Sequence, residues 1–145
     1  MKTLVIYSSK HHMNTEKVAR AIGAELGAVV KTLADARPAD LEGQDLVGFG
    51  SGINAGRVYP ELKDWVEALP DRRGQRAFVF STCASRKDCT GRFKDLLGTK
   101  GFQFAGEFHC AGMWTPGPVK LRKGHPDEAD LENARTFARG LRQES

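Results

Sequence analysis

Two short runs in this chain, "TLVIY" (Thr3–Tyr7) and "RAFVFST" (Arg76–Thr82), are rich in β-formers and almost wholly apolar. A strand with one wet face alternates apolar and polar residues, whereas a strand without that alternation must be covered on both faces. No other feature constrains the fold as strongly. Sheets covered on both faces are built from parallel strands, with helices crossing over on either side.

The rest of the chain supplies those helices and the remaining strands. After "TLVIY" and a polar turn, Val18, Ala19, Ile22 and Leu26 share one helical face, and Gly27 stops the helix. "AVVKTL" (Ala28–Leu33) reads as a second strand, and "DLVGFGSG" (Asp45–Gly52) contains a third. Leu62, Trp65, Val66 and Leu69 mark a helix that begins after Pro60 and ends at Pro70, with Trp65 in the core. Arg76–Thr82 is the fourth strand, and Phe93, Leu96 and Leu97 mark a helix closed near Gly98 or Gly101. "FQFAGEFHC" (Phe102–Cys110) alternates, which places this fifth strand near an edge. Leu131, Ala134, Ala138 and Leu141 mark a last helix starting near Pro126-Asp127. "ADARPADLEG" leaves little room for a helix between the second and third strands. The expected fold is α/β: one domain over residues 1–145, a three-layer α/β/α sandwich with a five-stranded parallel sheet ordered 2-1-3-4-5.

Composition narrows the setting. No apolar run is long enough to span a membrane, and Met1-Lys2-Thr3 leads straight into a strand, so neither a membrane span nor a signal peptide is expected. Cys83, Cys89 and Cys110 lack CxxC spacing; free thiols in a reducing cytoplasm are expected. Charge is uneven. Residues 1–71 carry 8 Lys+Arg against 10 Asp+Glu, and residues 72–145 carry 14 against 8, so the halves stand at −2 and +6. Most of that basic excess reads as solvated surface. The run "RKDCTGRFK" has one aromatic and no nucleic-acid module, so a protein partner is favoured over nucleic acid.

In a sheet of this order a ligand sits at the carboxyl ends of the strands, where the winding reverses. Three loops meet there: Ser8–Asn14, Ser51–Tyr59 and Ser81–Gly91. The first belongs to "SSKHHMNT", which lies between a strand end and a helix N-terminus. Free backbone N–H groups and the helix dipole favour an anion at that place. Ser8, Ser9, Asn14 and Thr15 add hydrogen-bond donors and Lys10 a charge. The turn is neither a Walker A loop nor a GxGxxG fingerprint, for it contains no glycine. The alternative is that Asn14 or Thr15 only caps the helix. In "GSGINAGRVYP", Gly50, Gly52 and Gly56 would let the backbone approach a flat ligand closely. "STCASRKDCTG" opens with small residues, Ser81 to Ser85, which permit the same. An anion socket beside a narrow slot suits a phosphorylated planar molecule. The pair His11-His12 reads as solvated. Neither a Cys83–Cys89 redox pair nor a metal at Cys83, His109 and Cys110 is supported by spacing.

The stretches "VIYSSKHHMNTEKVARAI", "GFGSGINAGRVYPELKDWV", "FVFSTCAS" and "GHPDEADLENARTFARGL" together resemble the short-chain flavodoxin family over nearly the whole chain. The resemblance implies a flavodoxin-like fold, non-covalent FMN and a role in electron transfer with a redox-protein partner. It places the phosphate at Ser8, Ser9, Asn14 and Thr15, and Lys10 and Met13 of the same turn are further candidate cofactor-binding residues. It places the isoalloxazine ring between Ser51, Gly52, Ile53, Asn54, Ala55, Gly56 and Arg57 on one side and Thr82, Cys83, Ala84 and Ser85 on the other. No catalytic side chain and no metal are implied, and the chain is expected as a monomer or weak dimer. A carbonyl from Asn54–Gly56 would accept a hydrogen bond from the reduced flavin, with Gly56 easing the peptide flip.

This chain also departs from the family pattern. Lys10, His11, His12 and Met13 stand where the family has small hydroxyl residues and a glycine. Only Tyr59 offers an aromatic in the second loop, and Trp114 in the Cys110–His125 loop is the candidate replacement. The pI of about 9.1 is far from the acidic flavodoxins. Arg86, Lys87, Arg92 and Lys94 form a cationic rim that favours an acidic partner. The second functional class is a flavin-dependent oxidoreductase of the same fold, of quinone-reductase or protoporphyrinogen-oxidising type. A phospho-acceptor receiver domain is disfavoured, since Ser8 and Ser9 stand where it needs acidic residues.

Overall fold

Leu4 and Ile6 point to one side of the first strand and Val5 and Tyr7 to the other, and none is more than 4% exposed. The double burial read from "TLVIY" is therefore real. The computed structural model describes residues 1–9, 14–83, 89–111 and 126–143. Its elements run β1 (Thr3–Ser8), α1 (Asn14–Leu26), β2 (Val29–Thr32), a 3-10 turn (Pro38–Leu41), β3 (Leu46–Asn54) and β4 (Arg57–Val58). They continue with α2 (Pro60–Glu67), β5 (Arg76–Cys83), α3 (Gly91–Thr99), β6 (Gln103–Ala111) and α4 (Glu128–Gln143).

Five strands pair in parallel in the order β2-β1-β3-β5-β6. This is the expected 2-1-3-4-5 order once the short β4, which pairs antiparallel with β3, is set aside. The alternating strand Gln103–Ala111 does lie at an edge. The short connection after β2 holds only the 3-10 turn, whose Pro38 opens it and whose Leu41 is buried.

The core has two layers. On one face Leu4, Ile6, Val47, Phe49, Ala77 and Val79 pack against Leu62 and Val66 of α2 and Phe93 and Leu97 of α3. Trp65 is half-buried and packs on this layer, 6.4 Å from Phe49 between ring centroids. On the other face Val5, Tyr7, Leu46, Phe78 and Phe80 meet Val18, Ala19 and Ile22 of α1 and Ala134, Ala138 and Leu141 of α4. Gly27 ends α1 at φ +64 with a Schellman arrangement: Ala28 N–H donates to Gly23 C=O at 2.8 Å and Gly27 N–H to Ala24 C=O at 3.4 Å. Asp127 and Asp130 cap the start of α4 reciprocally, each backbone N–H donating to the other's carboxylate at 2.9 Å.

The structure reassigns two glycines of the third strand. A methyl at Gly48 would overlap the Phe78 ring, and one at Gly50 would overlap Phe80. The pair is small so that β5 can lay its two phenylalanines across β3. Gly50 therefore serves packing rather than the approach of a ligand.

Candidate functional site

The carboxyl ends of the strands set hydroxyl residues in a row. Register pairs Ser8 with Ser51, Ser51 with Ser81, and Ser81 with His109 across β1, β3, β5 and β6. One residue further along, Gly52 pairs with Thr82 and Thr82 with Cys110. The three expected loops thus leave the sheet side by side, as the strand order requires. Lys10 and Met13 of the first loop and Ala84 and Ser85 of the third lie outside the described residues, as do His11, His12, Arg86, Lys87 and Trp114.

At the first loop α1 begins at Asn14, so Asn14 and Thr15 sit in its first turn, both buried. Thr15 is 1% exposed and its Oγ1 lies 2.9 Å from Oγ1 of Thr82, itself 4% exposed. A hydroxyl pair holds two protons, and the bond between them uses one. Neither threonine has another hydrogen-bond partner among the described residues, so the second proton has no acceptor there. The Ser8 hydroxyl, on a residue 8% exposed, likewise has no partner among the described residues. The donor left over at the threonine pair is buried, and a buried donor is costly unless something accepts from it. The pair lies at the N-terminus of a 13-residue helix, where free N–H groups and the dipole already favour negative charge.

Beside this socket Tyr7 donates its phenol to Glu16 Oε1 at 2.7 Å, and Arg20 reaches the same oxygen at 3.0 Å. Burial, with Glu16 adding to it, pushes the Tyr7 hydroxyl above its usual value. The bond from Tyr7, then Arg20, holds Glu16 below the usual carboxylate value. Arg20 thereby offsets the negative charge of Glu16 near a site that calls for an anion.

The second loop is more ordered than expected. β3 continues to Asn54 and turns back as β4, pairing Ile53 with Val58 and Asn54 with Arg57. Ala55 and Gly56 make the turn with φ of 53° and 75°. Positive φ at both central positions is the signature of a type I′ hairpin. Asn54, Ala55, Gly56 and Arg57 are exposed, so the tip stands out at the carboxyl edge. Ser51 belongs to its base: its hydroxyl donates to Gly52 C=O at 2.5 Å and accepts from Tyr59 N–H at 3.0 Å. Tyr59 is buried, and its hydroxyl occupies the space a side chain at Gly52 would need. The smallness of Gly52 is thus explained by Tyr59, and Tyr59 is packed inward rather than offered to a ring.

Sequence reasoning missed a hydrogen-bonded line on the α3 side. Ser81 Oγ lies 2.6 Å from His109 Nδ1, His109 Nε2 lies 3.1 Å from Glu107 Oε1, and Lys94 Nζ lies 2.8 Å from Glu107 Oε2. Burial pushes the Glu107 carboxyl up, but Lys94 and His109 outweigh it and hold the carboxyl below its usual value. Lys94 is therefore engaged here rather than part of the cationic rim, where Arg92 remains exposed. Glu107 and His109 stand two apart on β6, the same-face spacing of a strand that the sequence does display, whereas Ser81 and Lys94 reach them only through tertiary pairing. Cys83, Cys89 and Cys110 form no disulfide, as expected. Burial, with Asp130 and Asp127 adding to it, pushes the Cys110 thiol up to about 12, so it is unreactive near neutral pH. Among the described residues no group of His, Cys, Asp and Glu is placed to hold a metal ion.

The flavodoxin-domain family matches residues 4–133. The chain belongs to the flavodoxin family. A relative at 36% identity, an uncharacterised protein of Methanocaldococcus jannaschii, aligns over 97% of this flavodoxin and 98% of its own length. Among solved structures, a flavodoxin from the domain Archaea superposes with a TM-score of 0.79 at 15% identity, covering 99% of this chain and 98% of that one. Oxidised flavodoxin 2 from Bacillus cereus superposes at 0.74 with 19% identity, covering 99% of each. At such identities these two speak for the fold. Family membership implies that this flavodoxin binds a flavin. Among the described residues, no helix is long and apolar enough to cross a membrane.

Proposed function

We propose that this flavodoxin binds FMN and carries electrons between redox proteins. The observation that carries the reading is the buried hydroxyl pair at the start of α1, Thr15–Thr82, with one proton unspent. Donors without acceptors, at the positive end of a helix, fit the phosphate that distinguishes FMN from riboflavin. The cofactor, when bound, supplies the electron transfer.

The chain's own residues bind and orient. Ser8, Ser9, Asn14 and Thr15 hold the phosphate, together with Lys10 and Met13. The Ile53–Arg57 hairpin presents exposed backbone at the strand ends, and Thr82 and Cys83 close the other side with Ala84 and Ser85. The Ser51 hydroxyl, used inside the hairpin, holds the shape of that wall rather than the ligand. Three cysteines without a disulfide suit a reducing cytoplasm.

The basic second half of the chain and the exposed Arg92 favour an acidic redox partner, met by a monomer or weak dimer. The test has two parts. The visible spectrum and released cofactor of the purified protein should show FMN. Stopped-flow mixing should then show slow oxidation of NAD(P)H by the protein alone and rapid exchange with protein donors. Rapid NAD(P)H oxidation with quinone turnover would instead make it an FMN-dependent oxidoreductase.

A further inference from the structure

The hydroxyl pair joins two segments far apart in the chain: Thr15 from the first turn of α1 and Thr82 from the end of β5. We propose that Thr82 is a positioning residue for the cofactor phosphate and that it sets the preference for a phosphorylated flavin; the inference rests on the FMN reading above. Both side chains are more than nine-tenths buried, so neither hydroxyl can turn to bulk water. A hydroxyl has one proton and two acceptor sites. Thr82 engages one of the Thr15 sites at 2.9 Å and restricts where the remaining proton of the pair can point.

Without that partner the Thr15 hydroxyl, in the first turn of α1, is free to rotate among its staggered positions and its donor has no fixed direction. With the partner the pair keeps one donor, polarised by the bond behind it, for an acceptor brought in by a ligand. A phosphate dianion is the acceptor that gains most, because bonds to charged groups are about twice as strong as neutral ones. The riboflavin moiety carries no such charge. Beside its place in the wall of the flavin site, Thr82 therefore acts on the phosphate through Thr15, and only that action separates FMN from riboflavin.

The test is titration of flavin-free protein with FMN and with riboflavin, in wild type and in the Thr82→Val, Thr82→Ala and Thr82→Ser variants. The valine change should weaken FMN about tenfold more than it weakens riboflavin, since a bond to a charged group carries roughly that much and any loss at the ring wall is common to both flavins. The serine change should restore FMN affinity, because it keeps the hydroxyl. An equal loss for both flavins, or no loss for either, overturns the inference, as does a serine variant no better than valine. Should the valine variant fail to fold, the alanine variant carries the same expectation and decides. If the wild type itself binds the two flavins alike, the FMN reading falls first and the inference falls with it.

Discussion

Ala55 is the position where the cost of the hairpin can be weighed directly. It holds φ at 53° in a turn whose other central residue is glycine. An L-residue in the left-handed region costs about 1–2 kcal/mol relative to its preferred conformations. Ala55 is exposed, so replacing its methyl loses little packing. Glycine returns roughly 0.5–1 kcal/mol of that gain through the greater freedom of the unfolded chain. The balance predicts that Ala55→Gly stabilises the protein by about 0.5–1 kcal/mol. With a urea dependence of about 1–3 kcal/mol per molar, the unfolding midpoint should rise by roughly 0.2–1 M at unchanged slope. Equilibrium urea unfolding of the flavin-free protein followed by circular dichroism measures it. A midpoint unchanged or lowered would refute the strain assigned to Ala55.

Three further perturbations follow from the same geometry. Thr15→Ala or Ser8→Ala should weaken FMN binding by about 1.5–3 kcal/mol, read by flavin fluorescence; unchanged affinity with a lowered melting temperature would leave only a helix-capping role. Gly48→Ala should destabilise by about 1–3 kcal/mol in chemical unfolding, because the added methyl meets the Phe78 ring across the sheet; a neutral result would mean that ring has room to move. The folded pKa of Glu107 lies below its ordinary value of 4.5, so the pairing with Lys94 and His109 contributes stability above pH 4.5 and loses it as the pH falls through the folded value. Glu107→Gln should therefore cost stability at pH 7, with the cost shrinking as the pH is lowered below 4.5, and a cost that stays constant down an acid titration would show the carboxylate charge to be idle.

The strand order was legible because it rests on few and strong signals. Apolar runs such as Thr3–Tyr7 demand cover on both faces, and helical faces such as Val18–Leu26 supply it. The loops were legible as places but not as structures. Ser51–Tyr59 contains a hairpin because Asn54 and Arg57 can pair around two left-handed residues, and an alanine in that role gives no turn signal. The glycines misled for a related reason. Gly50 and Gly52 are small to admit Phe80 and Tyr59, and nothing local in "GFGSG" says whether a ligand or a side chain fills the space. Glu107 and His109 stand two apart on β6, but the links from Ser81 and Lys94 to them and the Thr15–Thr82 pair exist only through tertiary pairing, so no spacing along the chain announces those.

The phosphate socket at the start of α1 is tested most directly by titrating flavin-free wild-type protein with FMN and with riboflavin at fixed ionic strength, following flavin fluorescence. The isoalloxazine and ribityl groups are common to both ligands, so the ratio of the two dissociation constants isolates the phosphate. Several donors to a dianion at a helix N-terminus, each contributing about 1.5–3 kcal/mol, predict that FMN binds at least a hundredfold more tightly. Equal affinities would contradict the socket and leave the buried hydroxyls of Ser8, Thr15 and Thr82 as structural groups alone.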